Sequence, residues 1–214
     1  MNLLERARFT FLAVLLLACT LTAQQAGKAA SPRTTPSSPD PGSITNGVYR
    51  SSAFGFTCKI PFAWVDRTRE MSEDSSADAN ASKKSILLLA VFEHPPEAAG
   101  ESVNSAVVVA AEPTSSYPGL QNAEQYFGPL TELTKSKGLK VVNEPYDYSV
   151  GTRELVREDF SKPLGNLTMY QSTLAMMDKS YVVSFTFIGG SDDEVGELVE
   201  GLSFGRKEPP APRK

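Results

Sequence analysis

A chain of 214 residues, 41% of them hydrophobic, carries enough apolar material for one well-buried domain. Its 21 basic and 25 acidic residues give a net charge of −4, with no basic run. That balance argues against nucleic acid, whose binding rests on phosphate neutralisation, and against capture by anionic lipid through charge alone.

The chain opens on a targeting segment. Arg6 and Arg8 precede the apolar run 9–18, and ten residues are too few for a spanning helix, which needs roughly twenty. The run ends Leu16-Leu17-Ala18-Cys19, which resembles a bacterial lipobox. On that reading residues 1–18 are the signal peptide and Cys19 is the lipidated first residue of the mature chain. The competing reading is an ordinary signal peptide cut after Ala23, in Leu21-Thr22-Ala23. Both expect export. Loss of residues 1–18 takes Glu5, Arg6 and Arg8 with it and leaves a net charge of −5.

Residues 19–46 hold Pro32, Pro36, Pro39 and Pro41 among small polar residues, without an aromatic side chain to bury. That composition predicts a disordered tether. A single folded domain is expected over 47–205, followed by a loose tail, RKEPPAPRK, at 206–214.

Within the domain, residues 48–53 and 56–60 predict a short hairpin, with Phe56, Cys58 and Ile60 facing inward. Residues 71–84 predict a polar loop. The runs 86–92 (ILLLAVF) and 107–111 (VVVAA) are continuously apolar, as in strands covered on both faces at the middle of a sheet. A helix is expected over 122–137, with Asn122 as cap, Gln125 completing a capping box and Gly138 as stop. Gly128-Pro129 predicts a kink in it, or a start at Pro129. Strands at 139–143, 146–150 and 153–160 follow, the last so charged that a solvated or edge position is expected.

Residues 167–188, LTMYQSTLAMMDKSYVVSFTFI, predict a core hairpin turning at Asp178-Lys179. A two-residue turn there pairs Tyr170 with Phe187, Ser172 with Phe185, Leu174 with Val183 and Met176 with Tyr181 on an apolar face. Gln171, Thr173, Ser184 and Thr186 take the other face, because successive side chains point oppositely. With one apolar face, the hairpin is expected near an edge of the sheet. A capping box at Ser191-Asp192-Asp193-Glu194 then starts a last helix through Val195, Leu198, Val199 and Leu202.

The order of these elements is similar to the PsbP-like fold family. A hairpin enters through Gly55-Phe56 and Ile60-Pro61-Phe62-Ala63-Trp64, and a meander ends in Tyr181–Phe187 before a helix closing on Leu202-Ser203-Phe204. The resemblance implies an α+β domain, an antiparallel β-sheet flanked by helices in an α/β/α sandwich. It brings no catalytic or binding residue with it.

Catalytic chemistry is sparse. Cys58 lacks an intramolecular disulfide partner and is expected as a buried core thiol. His94 alone cannot make the usual zinc site, and a Cys58–His94 nucleophile pair is disfavoured by the inward cysteine. Asp192, Asp193 and Glu194 are explained by capping, while Arg153, Arg157, Glu158 and Asp159 are expected in cross-strand ion pairs. No catalytic residue, metal or cofactor is expected. The leading expectation is a non-enzymatic cell-envelope interaction module, tethered to the membrane through Cys19, whose partner is an unidentified envelope protein. Its expected surface is the polar face Gln171, Thr173, Ser184 and Thr186. The alternative is a small-ligand domain with an aromatic-lined pocket at Trp64, Tyr146 and Tyr148.

Overall fold

The computed structural model describes residues 39–77, 85–97 and 102–205, so the expectations for 1–38, 78–84 and 206–214 lie outside the described residues. Two antiparallel sheets share one core. The smaller runs in the order β1-β2-β3-β11, from β1 (Ser43–Thr45), β2 (Val48–Ser51), β3 (Phe56–Lys59) and β11 (Leu202–Phe204). The larger contains β4 (Val65–Asp66), β5 (Ile86–Phe92), β6 (Ala106–Pro113), β7 (Lys140–Val150), β8 (Arg153–Leu164), β9 (Leu167–Asp178) and β10 (Tyr181–Gly189). Its order is β4-β5-β6-β10-β9-β8-β7. Helices α1 (Thr68–Ala77), α2 (Ala123–Ser136) and α3 (Asp192–Glu200) complete the α+β domain.

One face of the large sheet packs against the small one. Val183, Phe185 and Phe187 of β10 join Tyr49, Phe56 and Cys58 of the small sheet and Val195, Leu198 and Val199 of α3 in a single cluster. Phe56 meets Phe185 edge-on, with ring centroids 4.9 Å apart. The other face is covered at two places: α2 brings Tyr126, Phe127 and Leu130 onto Val156, Ala175 and Val182, and Met71 of α1 packs beside Ala90 and Ile188. A second sheet, not only helices, thus covers the large one.

Several expectations are corrected. The small sheet begins before residue 47: β1 pairs with β2 around Asn46-Gly47, both at positive φ (51° and 68°). Asn-Gly is the strongest short signal for such a turn, so residues 43–46 belong to the domain and not to the tether. Residues 68–77 form a helix where 71–84 suggested a loop. The charged strand β8 is not an edge, since β7 lies outside it. Leu202 starts β11 after Gly201, instead of extending the last helix.

The β9–β10 hairpin keeps its faces but changes its pairs. Lys179, at φ 54°, and Ser180 form the turn, so Tyr181 pairs with Asp178, Phe187 with Ser172 and Phe185 with Leu174. This register is two residues away from the expected one. A slip of two preserves sidedness, whereas a slip of one would have turned the aromatics out of the core. The hairpin is also central, with β10 fourth of seven strands, while β5 lies second from an edge.

Candidate functional site

The strand β7 reaches its position through two irregularities. Val141 pairs with Phe160, Asn143 with Asp159 and Tyr146 with Arg157, so β7 spends extra residues at Val142 and again at Glu144-Pro145. An extra residue reverses which way the following side chains point. Asn143, Tyr146 and Tyr148 therefore come to one face of the sheet, although a regular strand would separate Asn143 from the tyrosines. Pro145 suits this place because a bulge on an edge strand does not need its missing N–H.

That face carries a compact polar cluster. Asp159 accepts four hydrogen bonds: from Ser172 Oγ at 2.5 Å, Arg157 Nε at 2.8 Å, Tyr146 Oη at 2.9 Å and Asn143 Nδ2 at 3.0 Å. Four bonds fill the lone-pair sites of a carboxylate. Burial alone would raise its pKa, but the bonds from Ser172, Arg157 and Asn143 outweigh it and hold Asp159 below the usual range. Burial, and next the bond to Asp159, push Tyr146 up to about 12.

Arg157 is held from several sides. Its Nη2 donates to Ser172 Oγ at 2.9 Å, and its guanidinium carbon stands 5.0 Å from the Tyr148 ring centre and 6.0 Å from that of Tyr146. The two rings meet nearly at right angles, 82°, and form a corner around the cation. Tyr146 stays 37% exposed. The Arg157–Asp159 ion pair runs along one strand, not across strands as expected; Arg153 makes the cross-strand contact, to Asp178 at 3.5 Å.

The opposite face of β8 holds a second polar group. Glu158 is fully buried beneath α2, and its two carboxyl oxygens lie 2.9 and 2.7 Å from Thr131 Oγ1. The same hydroxyl lies 2.6 Å from Phe127 O. A hydroxyl has one proton to give, so it cannot serve the carbonyl and an ionised carboxylate together. A protonated Glu158 resolves this by donating to Thr131, which then donates to Phe127 O. Desolvation raises the Glu158 pKa to about 7, with Glu144 and Asp159 adding to it against the pull of Thr131.

Of the residues singled out from the sequence, Tyr146 and Tyr148 come together and Trp64 does not join them. Trp64 precedes β4 at the far edge of the large sheet, after a turn in which Ala63 takes φ 67° and Phe62 is fully exposed. On the polar hairpin face Thr173 is buried, and Gln171, Ser184 and Thr186 are half-buried. Gln171 Nε2 donates to Thr173 Oγ1 at 3.2 Å. Cys19 lies outside the described residues.

Cys58 is fully buried and burial pushes its thiol up to about 12; Sγ donates to the carbonyl of Lys59. His94 instead exchanges backbone hydrogen bonds with Asn104 and does not meet the thiol. Ser191 and Glu194 cap α3, and Asn122 and Gln125 cap α2, as expected. Among the described residues no group of three or more His, Cys, Asp or Glu is placed to hold a metal, and no helix is long and apolar enough to cross a membrane. Sequence reasoning left Asn143 and Ser172 out of the site. The Pro inside a strand is the available signal for the bulge that brings Asn143 to the face of the tyrosines; Ser172 arrives by the regular pairing of β9 with β8.

No protein-family model matches the chain, and no curated protein matches it by sequence. The structure is similar to the solution structure of cyanobacterial PsbP from Synechocystis sp., at 9% identity and a TM-score of 0.47, covering 80% of this chain and 100% of that one. PsbP is the fold family that the sequence elements resemble. Similarity extends to LpqN of Mycobacterium tuberculosis, described as involved in cell envelope biogenesis, at 11% identity and a TM-score of 0.37 over 77% of this chain and 85% of that one.

Proposed function

We propose that the protein is a non-catalytic binding module of the cell envelope, held on a tether by a lipidated Cys19, that presents its β7–β8 rim to a partner protein. One observation carries this reading: Tyr146 stands 37% exposed at a sheet edge beside Arg157, whose position is already set by Asp159 and Ser172. Aromatic rings and arginines dominate the energetic centres of interfaces, and a pre-set side chain loses little entropy on binding. The export signal and the spacer expected from the sequence add support, because together they would hold a folded domain off a membrane surface. The thiol of Cys58, buried and hard to ionise, is ill placed for nucleophilic work.

The test is photo-cross-linking in cells producing the full chain. A photo-reactive residue at Val142, which is 54% exposed next to the rim, is compared with one at exposed Glu124 on α2. The expected result is a discrete adduct with one envelope protein from position 142 only, in the membrane fraction. Recovery as a soluble monomer with no adduct from position 142 overturns the proposal.

A further inference from the structure

A guanidinium has five N–H donors, four of them arranged as a side-on fork (Nε and one N–H of Nη2) and an end-on fork (one N–H of Nη1 and the other N–H of Nη2). In Arg157 the side-on fork is consumed within the protein. Nε donates to Asp159 and Nη2 to Ser172, two acceptors that themselves lie 2.5 Å apart on the same side of the cation. The end-on fork has no acceptor among the described residues. Nη1, which has no partner, is not sealed off, since Arg67 Nε is the single fully buried side-chain nitrogen or oxygen among the described residues that lacks one. The Arg157 side chain as a whole keeps 12% of its surface.

We propose that the end-on fork of Arg157 is a binding site for a carboxylate group, with the ring of Tyr146 as its wall. The inference deepens the partner-binding reading of the rim and rests on it for the partner's identity. An arginine needed only to steady Asp159 could do so with one fork. Here Nη1 is left without an acceptor and in reach of solvent, at the edge where Tyr146 is exposed. Two parallel N–H donors spaced for two oxygens match a carboxylate in a bidentate pair. Asp159 neutralises the cation from the other side, so an isolated carboxylate binds weakly, with a Kd on the order of 1 mM. Its value is directional: Asp159, Ser172 and the two rings hold the fork in one orientation before a ligand arrives.

The experiment is a titration of the purified full chain, followed by NMR of the arginine side-chain N–H groups and tyrosine rings. The probes are acetate, the neutral isostere acetamide, inorganic phosphate, and N-acetylglutamate α-amide as a peptide-borne carboxylate. Saturable shifts of the Arg157 and Tyr146 signals with acetate and with the glutamate derivative, but not with acetamide, are expected. Tighter binding of the glutamate derivative than of acetate assigns the site to a peptide side chain, and equal binding assigns it to a free small acid. Arg157→Lys keeps the charge and loses the fork, and should weaken acetate by about tenfold. No saturable shift in the wild-type chain, an equal response in Arg157→Lys, or preference for phosphate overturns the inference. Carboxylate binding without any cross-linked partner from position 142 would overturn the protein-partner reading and leave this one standing.

Discussion

At the scale of single residues, two neighbouring carboxyl groups on β8 are driven in opposite directions. Glu158 faces Thr131 and Lys135 of α2, Thr173 of β9 and the nearby Glu144, and among the described residues no ion pair holds its charge. Its carboxyl is harder to ionise in the folded chain than in the unfolded one. The stability it provides is complete below its unfolded value of 4.5 and is lost as the pH rises through about 7. The loss above that point is on the order of 3 kcal/mol at most. Glu158→Gln keeps the shape and abolishes the titration. Urea unfolding should find this variant more stable than the wild type at pH 8 and close to it at pH 4.5; equal midpoints at both would refute the buried acid. Asp159 works with the reverse sign. Its pKa lies below the ordinary 3.8, so it contributes stability above that pH and loses it as the solution becomes more acid. Asp159→Ala leaves the Arg157 guanidinium without its carboxylate and should cost about 3 kcal/mol in urea unfolding at neutral pH.

At the scale of elements, the two turns of irregular backbone in β7 decide what the site contains. Deleting Pro145 removes the extra residue and turns Tyr146 and Tyr148 away from Asp159. The Tyr146 phenol, held up to about 12, should then titrate near its ordinary value of 10.0, which ultraviolet difference spectra can follow. An unchanged titration would show that the bulge does not aim the ring. Elsewhere Ala63 occupies φ 67°, where an L residue is strained. Ala63→Gly should raise stability by about 1 kcal/mol, read from the same urea curves.

The same elements show how far the sequence could be followed. Alternation of Tyr170, Ser172, Leu174 and Met176 told which face of β9 is buried, because sidedness survives any even slip. It could not tell the register, since the turn at Lys179-Ser180 and the one at Asp178-Lys179 give identical faces. The caps at Asn122 and Ser191 were legible because capping chemistry is local. The charged strand was not, for burial of Glu158 and Asp159 depends on α2 and β7, which are distant or irregular in sequence. A run of charges reads as solvated unless its partners are known, and Glu144-Pro145 read as a break between strands instead of a bulge within one. Trp64 and Tyr146 look alike in the sequence as candidate pocket-lining aromatics; only strand order puts them at opposite edges.

For the whole molecule, the two sheets are joined through aromatic contacts such as Phe56 against Phe185 and Phe204 against both. Lys179 adds a tie at the surface, donating from Nζ to Ala53 O at 2.5 Å and standing 5.9 Å from the Phe54 ring centre. The turn of the central hairpin thus reaches across to the loop of the small sheet. At this scale belongs the prediction for the chain's attachment: Cys19→Ser should move the protein from the membrane fraction to the soluble one without changing the domain's unfolding midpoint. Persistence in the membrane fraction would assign attachment to the folded domain itself.

The burial of Cys58 turns the interior into a stopwatch. The chain has two cysteines, so in Cys19→Ser the thiol of Cys58 is the only one left to react. It sits on β3 with no accessible surface, on the side that meets the large sheet. A thiol reagent can reach it only after the small sheet has lifted away, and the labelling rate then counts those openings. If labelling under native conditions is as slow as global unfolding, the two sheets part only when everything does. Should it run faster, the small sheet is a separate door with its own hinge energy, and the difference in rates measures it.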